Sequence, residues 1–93
     1  MTERFLKRQI VRYLHTIPLS YWEVSPAGST SGKPDITGCI RGRYCAIEVK
    51  TQTGRLSKIQ AYKIEGLKNS GAVAFVARDL ESVIAGLKAH GLL

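Results

Sequence analysis

The run Ala72-Val73-Ala74-Phe75-Val76-Ala77 constrains this chain more than any other segment. Six apolar residues with no polar alternation have the length of a strand and offer no face to water. Such a strand must be covered on both sides, which calls for helices on both faces of its sheet. The chain supplies them. Residues 3–15 read as a helix with Thr2 as N-cap and Leu6, Ile10, Val11, Tyr13 and Leu14 at helical spacing. Residues 57–70 read as a second helix, with Gly71 just past its end. Asp79 opens a third, whose Leu80, Val83, Ile84 and Leu87 form the inward stripe.

Between these lie the remaining strands. Pro18 closes the first helix, and Ser20 to Val24 has the aromatic, alternating character of a short strand. Residues 25–33 are almost all turn formers, a loop long and permissive enough to move. Ile36 to Ile40 and Tyr44 to Lys50, separated by Arg41-Gly42-Arg43, read as a β-hairpin. The expected architecture is therefore α/β, in the order α-β-β-β-α-β-α, with a mixed sheet flanked by helices. At 93 residues this is one domain, 1–93, which excludes an enzyme with separate cofactor and substrate domains.

Charge narrows the partner. Fourteen Lys+Arg against 7 Asp+Glu give a formal net charge of +7, which points to a polyanion, nucleic acid first and an acidic membrane second. A surface charged for solubility alone is the plain alternative. The 44% apolar and 23% charged shares are those of a globular chain. Cys39 and Cys45 fit neither a disulfide framework nor a metal knuckle and read as reduced thiols. Charges interrupt the N-terminal segment, and no apolar run approaches the roughly 20 residues of a membrane span. We expect a soluble, intracellular (cytoplasmic) protein.

The hairpin carries the chemistry. With Arg41-Gly42 as a two-residue turn, Ile36 faces Ile47, Gly38 faces Cys45, and Asp35 faces Glu48. Period-2 alternation puts Glu48 and Lys50 on one face and Ile47 and Val49 on the other. Two carboxylates side by side repel, and one would normally protonate. A divalent cation removes the conflict, and all-oxygen ligation selects Mg²⁺ or Mn²⁺ over zinc. Lys50 beside the ion could orient or deprotonate an attacking water or stabilise charge on a phosphate. The competing reading is a surface triplet of ordinary cross-strand ion pairs.

In order, Gly32-x-Pro34-Asp35, the hairpin, and Ile47-Glu48-Val49-Lys50 resemble the PD-(D/E)XK nuclease superfamily, and within it the VRR-NUC (virus-type replication-repair nuclease) domain. Ser57-Lys58-Ile59-Gln60, the preceding Gly54-Arg55-Leu56, Gly71-Ala72-Val73 and an early Glu3 extend the resemblance over nearly the whole chain. It implies a restriction-endonuclease-like core and phosphodiester hydrolysis leaving a 5′-phosphate and a 3′-hydroxyl. It makes Asp35, Glu48 and the backbone carbonyl of Val49 metal ligands, Lys50 the catalytic lysine, and Gln60 a residue holding the water or the lysine. Glu3 becomes a further acid approaching from the first helix. Many relatives have a glutamine one turn after that glutamate, where this chain has Lys7, which leaves open whether Glu3 serves one metal or two. Small stand-alone relatives act as homodimers on branched DNA, including four-way (Holliday) junctions, and the half-apolar last helix with Leu92-Leu93 offers surface for such a dimer.

Each assignment has a plainer rival. Ser57-x-x-Gln60 is itself a capping box, and an acid such as Glu3 is favoured in any first helical turn. Lys33, Arg41, Arg43, Arg55 and Lys58, in loops or at element ends, are candidate phosphate contacts near the site. Arg4, Lys7, Arg8 and Arg12 could track a second duplex arm, although solvated charge explains them equally. Trp22, Tyr21 and Tyr44 could stack on a base but are read first as core. His15 and His90 receive no role. The alternatives to a branched-DNA nuclease are a non-cutting nucleic-acid-binding module and a nuclease for flaps, nicked duplex or RNA.

Overall fold

Arg41 and Gly42 both adopt left-handed backbone angles, φ 45° and 85°. A two-residue turn of that hand matches the twist of the strands on either side and locks their register. In the computed structural model, which describes residues 1–26 and 31–93, strands β2 (Ile36–Ile40) and β3 (Arg43–Val49) pair antiparallel with Ile36 opposite Ile47 and Gly38 opposite Cys45. The expected register holds. Strand β3 begins at Arg43, so the break between the strands is Arg41-Gly42 alone, and Lys50 lies just past its end.

On one side β2 pairs antiparallel with β1 (Ser20–Val24); on the other β3 pairs parallel with β4 (Val73–Ala77). The four-stranded mixed sheet has the order β1-β2-β3-β4. Helices α1 (Glu3–Leu14), α2 (Lys58–Asn69) and α3 (Leu80–Ala89) complete the expected α-β-β-β-α-β-α order.

The two faces are covered by different helices. Cys45, Ile47 and Val49 of β3 join Val73, Ala77 and Phe75 of β4 in the main core, together with Leu6, Ile10 and Leu14 of α1 and Val83 and Leu87 of α3. The i, i+4, i+8 spacing of the α1 residues is the stripe that drives this packing. On the opposite face Ala46 and Ala74 meet Ile64 and Leu67 of α2. Small residues at 46 and 74 let α2 lie close to the parallel pair, so the apolar run of β4 is covered twice, as it must be.

Among the described residues helix α2 packs chiefly on β4 rather than on β1 or β2. This corrects the reading of the aromatics. Trp22, on the α1 face, is core, and its indole N–H donates to Ser20 Oγ at 2.9 Å. Tyr21 and Tyr44 point to the opposite face and are 65% and 47% exposed. Cys45 is buried and Cys39 half-buried, and neither is bridged. The loop expected over 25–33 includes residues 27–30, which lie outside the described residues. Among the described residues no helix is long and apolar enough to cross a membrane.

Gly38 is where the sheet tolerates no side chain. A Cβ there would stand 2.1 Å from the Tyr21 carbonyl oxygen and 2.6 Å from the Trp22 ring. Gly38→Ala is expected to lower stability in urea unfolding by about 1–3 kcal/mol, the usual range for overpacking. A variant as stable as wild type would show that β1 and β2 do not approach this closely.

Candidate functional site

At the end of the hairpin away from its turn, the ladder runs out and charged side chains take over. Strand β2 begins at Ile36, so Asp35 sits where the next rung would be. Its carboxylate Oδ2 accepts the Val49 N–H at 2.9 Å, replacing a backbone partner. The Asp35 carbonyl in turn accepts from Ser25 N–H at 2.8 Å. This holds the Asp35 carboxylate beside Glu48, as the register required.

Glu48 points to the α2 face and is 2% exposed, the one charged residue buried in the described core. Its carboxyl is pushed up to about 8. Burial is the largest cause, followed by the hydrogen bond with the Asp35 carboxyl and the charge of Asp35; the more distant Glu3 adds to it, while Lys50 pulls the other way. Two groups steady the carboxylate directly. The Lys50 ammonium lies 3.8 Å from Oε2, and the Gln60 amide N–H donates to the same oxygen at 3.2 Å.

Gln60 does two things at once. Ser57 Oγ accepts the Gln60 N–H at 3.1 Å, and Gln60 Oε1 accepts the Ser57 N–H at 2.9 Å, closing a capping box. With its oxygen committed to the cap, the amide is oriented so that its NH₂ faces Glu48. The capping and site readings of this residue are therefore compatible, because each uses a different end of the side chain.

Lys50 is positioned by the strand beyond it. Its N–H donates to Ala77 O at 3.0 Å, extending the parallel pairing one residue past β3. Arg78, which sequence reasoning did not single out, then ties down the loop leading to α2. Its Nη1 donates to Thr51 O and Gly54 O, both at 2.7 Å. A single arginine after an apolar strand carries no local signal of this role; the acceptors lie more than 20 positions earlier in the chain.

The structure brings Asp35, Glu48, Lys50 and Gln60 together, and it adds Lys7. That residue's ammonium reaches Asp35 Oδ1 at 3.2 Å from α1. Among the described residues no three His, Cys, Asp or Glu side chains group as a metal site, so an ion bound here would have two carboxylates, Asp35 and Glu48, as its side-chain donors. The donor chemistry suits a hard divalent cation: two carboxylates are forced together, one of them buried and resisting ionisation. The Val49 carbonyl belongs to the residue between Glu48 and Lys50, at the strand end.

The basic residues divide into three sets. Lys33 and Lys58 are exposed next to Gly32 and Ile59, which lie close together; Arg55 lies in the loop before α2 and is exposed. Arg4, Arg8 and Arg12 are exposed along α1. Arg41 and Arg43, expected near the site, stand instead at the turn, roughly 20 Å along the strand from Glu48. There they donate to the carbonyls of Leu92 at 3.1 Å and His90 at 3.5 Å, so their position anchors the C-terminal segment.

No family model and no curated protein matches this chain. A solved structure described as a VRR_NUC domain is similar over 95% of each chain, with a TM-score of 0.76 at 21% sequence identity. At that identity the likeness is one of fold. The chain has the VRR_NUC fold over nearly its whole length, in agreement with the motif resemblance.

The raised carboxyl has a thermodynamic signature. Between its ordinary value of 4.5 and about 8, the folded protein keeps a proton on Glu48 that the unfolded chain has lost. Stability conferred by that proton is full below the lower value and disappears as pH rises through the upper one. In metal-free buffer the wild-type Tm is expected to fall between pH 5 and pH 8.5, and Glu48→Gln to flatten that fall. Identical pH profiles for the two proteins would contradict a carboxyl held protonated here.

Proposed function

We propose that this protein is a Mg²⁺- or Mn²⁺-dependent endonuclease that hydrolyses phosphodiester bonds in branched DNA, four-way junctions included. The observation that carries the proposal is the buried Glu48 held against Asp35, with Lys50 and Gln60 on the same oxygen. A chain with the fold of a VRR_NUC domain and a net charge of +7 is the setting in which that arrangement makes chemical sense.

Asp35, Glu48 and the Val49 carbonyl would hold the ion. When bound, it supplies Lewis-acid stabilisation of charge on the scissile phosphate and a more acidic water. The remaining steps belong to this chain's own groups. Lys50, held at Glu48, orients the attacking water and offers its ammonium to the negative charge that builds up on the phosphate oxygens. Gln60 steadies the Glu48 carboxylate through its Oε2. Lys33, Lys58 and Arg55 supply phosphate contacts, and Arg4, Arg8 and Arg12 supply more along α1. Hydrolysis by in-line attack leaves a 5′-phosphate and a 3′-hydroxyl.

Each chain has one such cluster and cuts one strand, so paired cuts across a junction require two copies. We assign the protein a homodimeric state for that reason. Leu92, expected at that interface, is instead buried in the main core; β1 is an edge strand among the described residues, and the exposed Leu19, Tyr21 and Val24 along it support this reading.

Labelled four-way junction, flap and linear duplex, each incubated with Mg²⁺ or Mn²⁺, test the proposal. The junction should receive paired, symmetric nicks. Lys50→Ala and Glu48→Gln should lower the rate about 10²-fold to 10⁴-fold, as expected for loss of a group acting at the reacting phosphate. Junction binding without any cutting would favour a non-catalytic binding module. Cutting that survives both substitutions would remove the catalytic assignment.

A further inference from the structure

We propose that Lys7 is the resident cation of the Asp35–Glu48 pair, and that a divalent ion enters the site only by displacing it. The inference rests on the metal site proposed above and assigns to Lys7 the control of its affinity.

The geometry is specific. Asp35 has two carboxylate oxygens, and Oδ2 is committed to the Val49 N–H. The Lys7 ammonium stands on the other oxygen, Oδ1, at 3.2 Å. The two side chains are only 22% and 18% exposed, so water screens the pair weakly. Lys7 follows the buried Leu6 on α1, which keeps its stem at the inner edge of the helix. Arg4, Arg8 and Arg12 of the same helix are exposed, so Lys7 is distinct among the α1 cations.

Asp35 has Lys7, and Glu48 has Lys50 at 3.8 Å. Two ammonium groups already stand against the pair, so a divalent ion added to the complete set meets two nearby positive charges. One ammonium must withdraw. Lys50 is the more enclosed of the two, at 14% exposure against 22% for Lys7. The Lys7 side chain can swing from its helix toward water or a DNA phosphate. Metal and DNA should therefore help each other bind, because the phosphate accepts the ammonium that the metal expels.

The test is Mn²⁺ binding without DNA, measured by calorimetry on folded wild type, Lys7→Gln, Lys7→Arg and Arg8→Gln. Lys7→Gln should bind Mn²⁺ about tenfold or more tightly, as expected when a cation beside a ligand carboxylate is removed. Arg8→Gln removes the same charge from the same helix outside the pair, and Lys7→Arg keeps a cation at Asp35; both should stay close to wild type. Equal affinities for Lys7→Gln and Arg8→Gln would overturn the proposal, as would the absence of Mn²⁺ binding in both wild type and Lys7→Gln. In wild type, the side-chain NMR signals of Lys7 should move to free-lysine positions when Mg²⁺ is added; unchanged signals would also overturn it. If Lys7→Gln binds Mn²⁺ more tightly yet wild type cuts no DNA, the hydrolytic reading fails while the role of Lys7 stands. If wild type cuts with Mg²⁺ and Lys7→Gln gains no affinity, the hydrolytic reading stands alone.

Discussion

The hydrogen bond from Val49 N–H to Asp35 Oδ2 is the interaction on which the polar end of this protein depends. A hairpin that continued its ladder would satisfy Val49 with a backbone carbonyl and leave no charge there. Here a carboxylate takes that place, so the position of Asp35 is fixed by the same register that fixes the core. Ile36 opposite Ile47 puts two apolar side chains inside; one residue further along, the same alternation sets Asp35 against Glu48 on the other face. Slipping the pairing by one residue would expose the isoleucines as well as separate the acids. Stability and site geometry are thus enforced together.

Around that pair, neighbouring groups are oriented by ordinary structural devices. The capping box of α2 takes the oxygen of Gln60 and leaves its NH₂ for Glu48. Parallel pairing carries the Lys50 N–H onto Ala77, and Arg78 fastens the following loop at Thr51 and Gly54. The cap is local, whereas the Gln60–Glu48, Lys50 and Arg78 contacts join segments distant in the chain. Together they hold a buried carboxyl that is reluctant to ionise beside a second carboxylate, an arrangement a protein keeps at some loss of stability. Under the reading proposed here, binding of a divalent cation compensates that loss.

Much of this was legible in the sequence because the relevant signals are local. The doubly covered strand, the three N-caps at Thr2, Ser57 and Asp79, and the Arg41-Gly42 turn each depend on a few adjacent residues. Since the turn sets the register, it also brought Asp35 to Glu48. What the sequence concealed depends on contacts between distant segments. Lys7 meets Asp35 only because α1 crosses that end of the sheet, and Arg78 finds its acceptors only through the parallel pairing. Arg41 and Arg43 are basic residues of a loop and so read as near the site, yet the length of β3 carries them to the opposite end. Tyr21 and Tyr44 read as core until the placement of α2 over β4 left them exposed.

The central claim is that Asp35 and Glu48 together form a divalent-cation centre. Anomalous scattering from crystals soaked in Mn²⁺ addresses it most directly. The expected map has a peak about 2.0–2.2 Å from a carboxylate oxygen of each residue, the distance typical of small hard cations, with the Val49 carbonyl oxygen alongside. At saturating Mn²⁺, an empty map between the two carboxylates, or a peak only elsewhere on the protein, would contradict the claim.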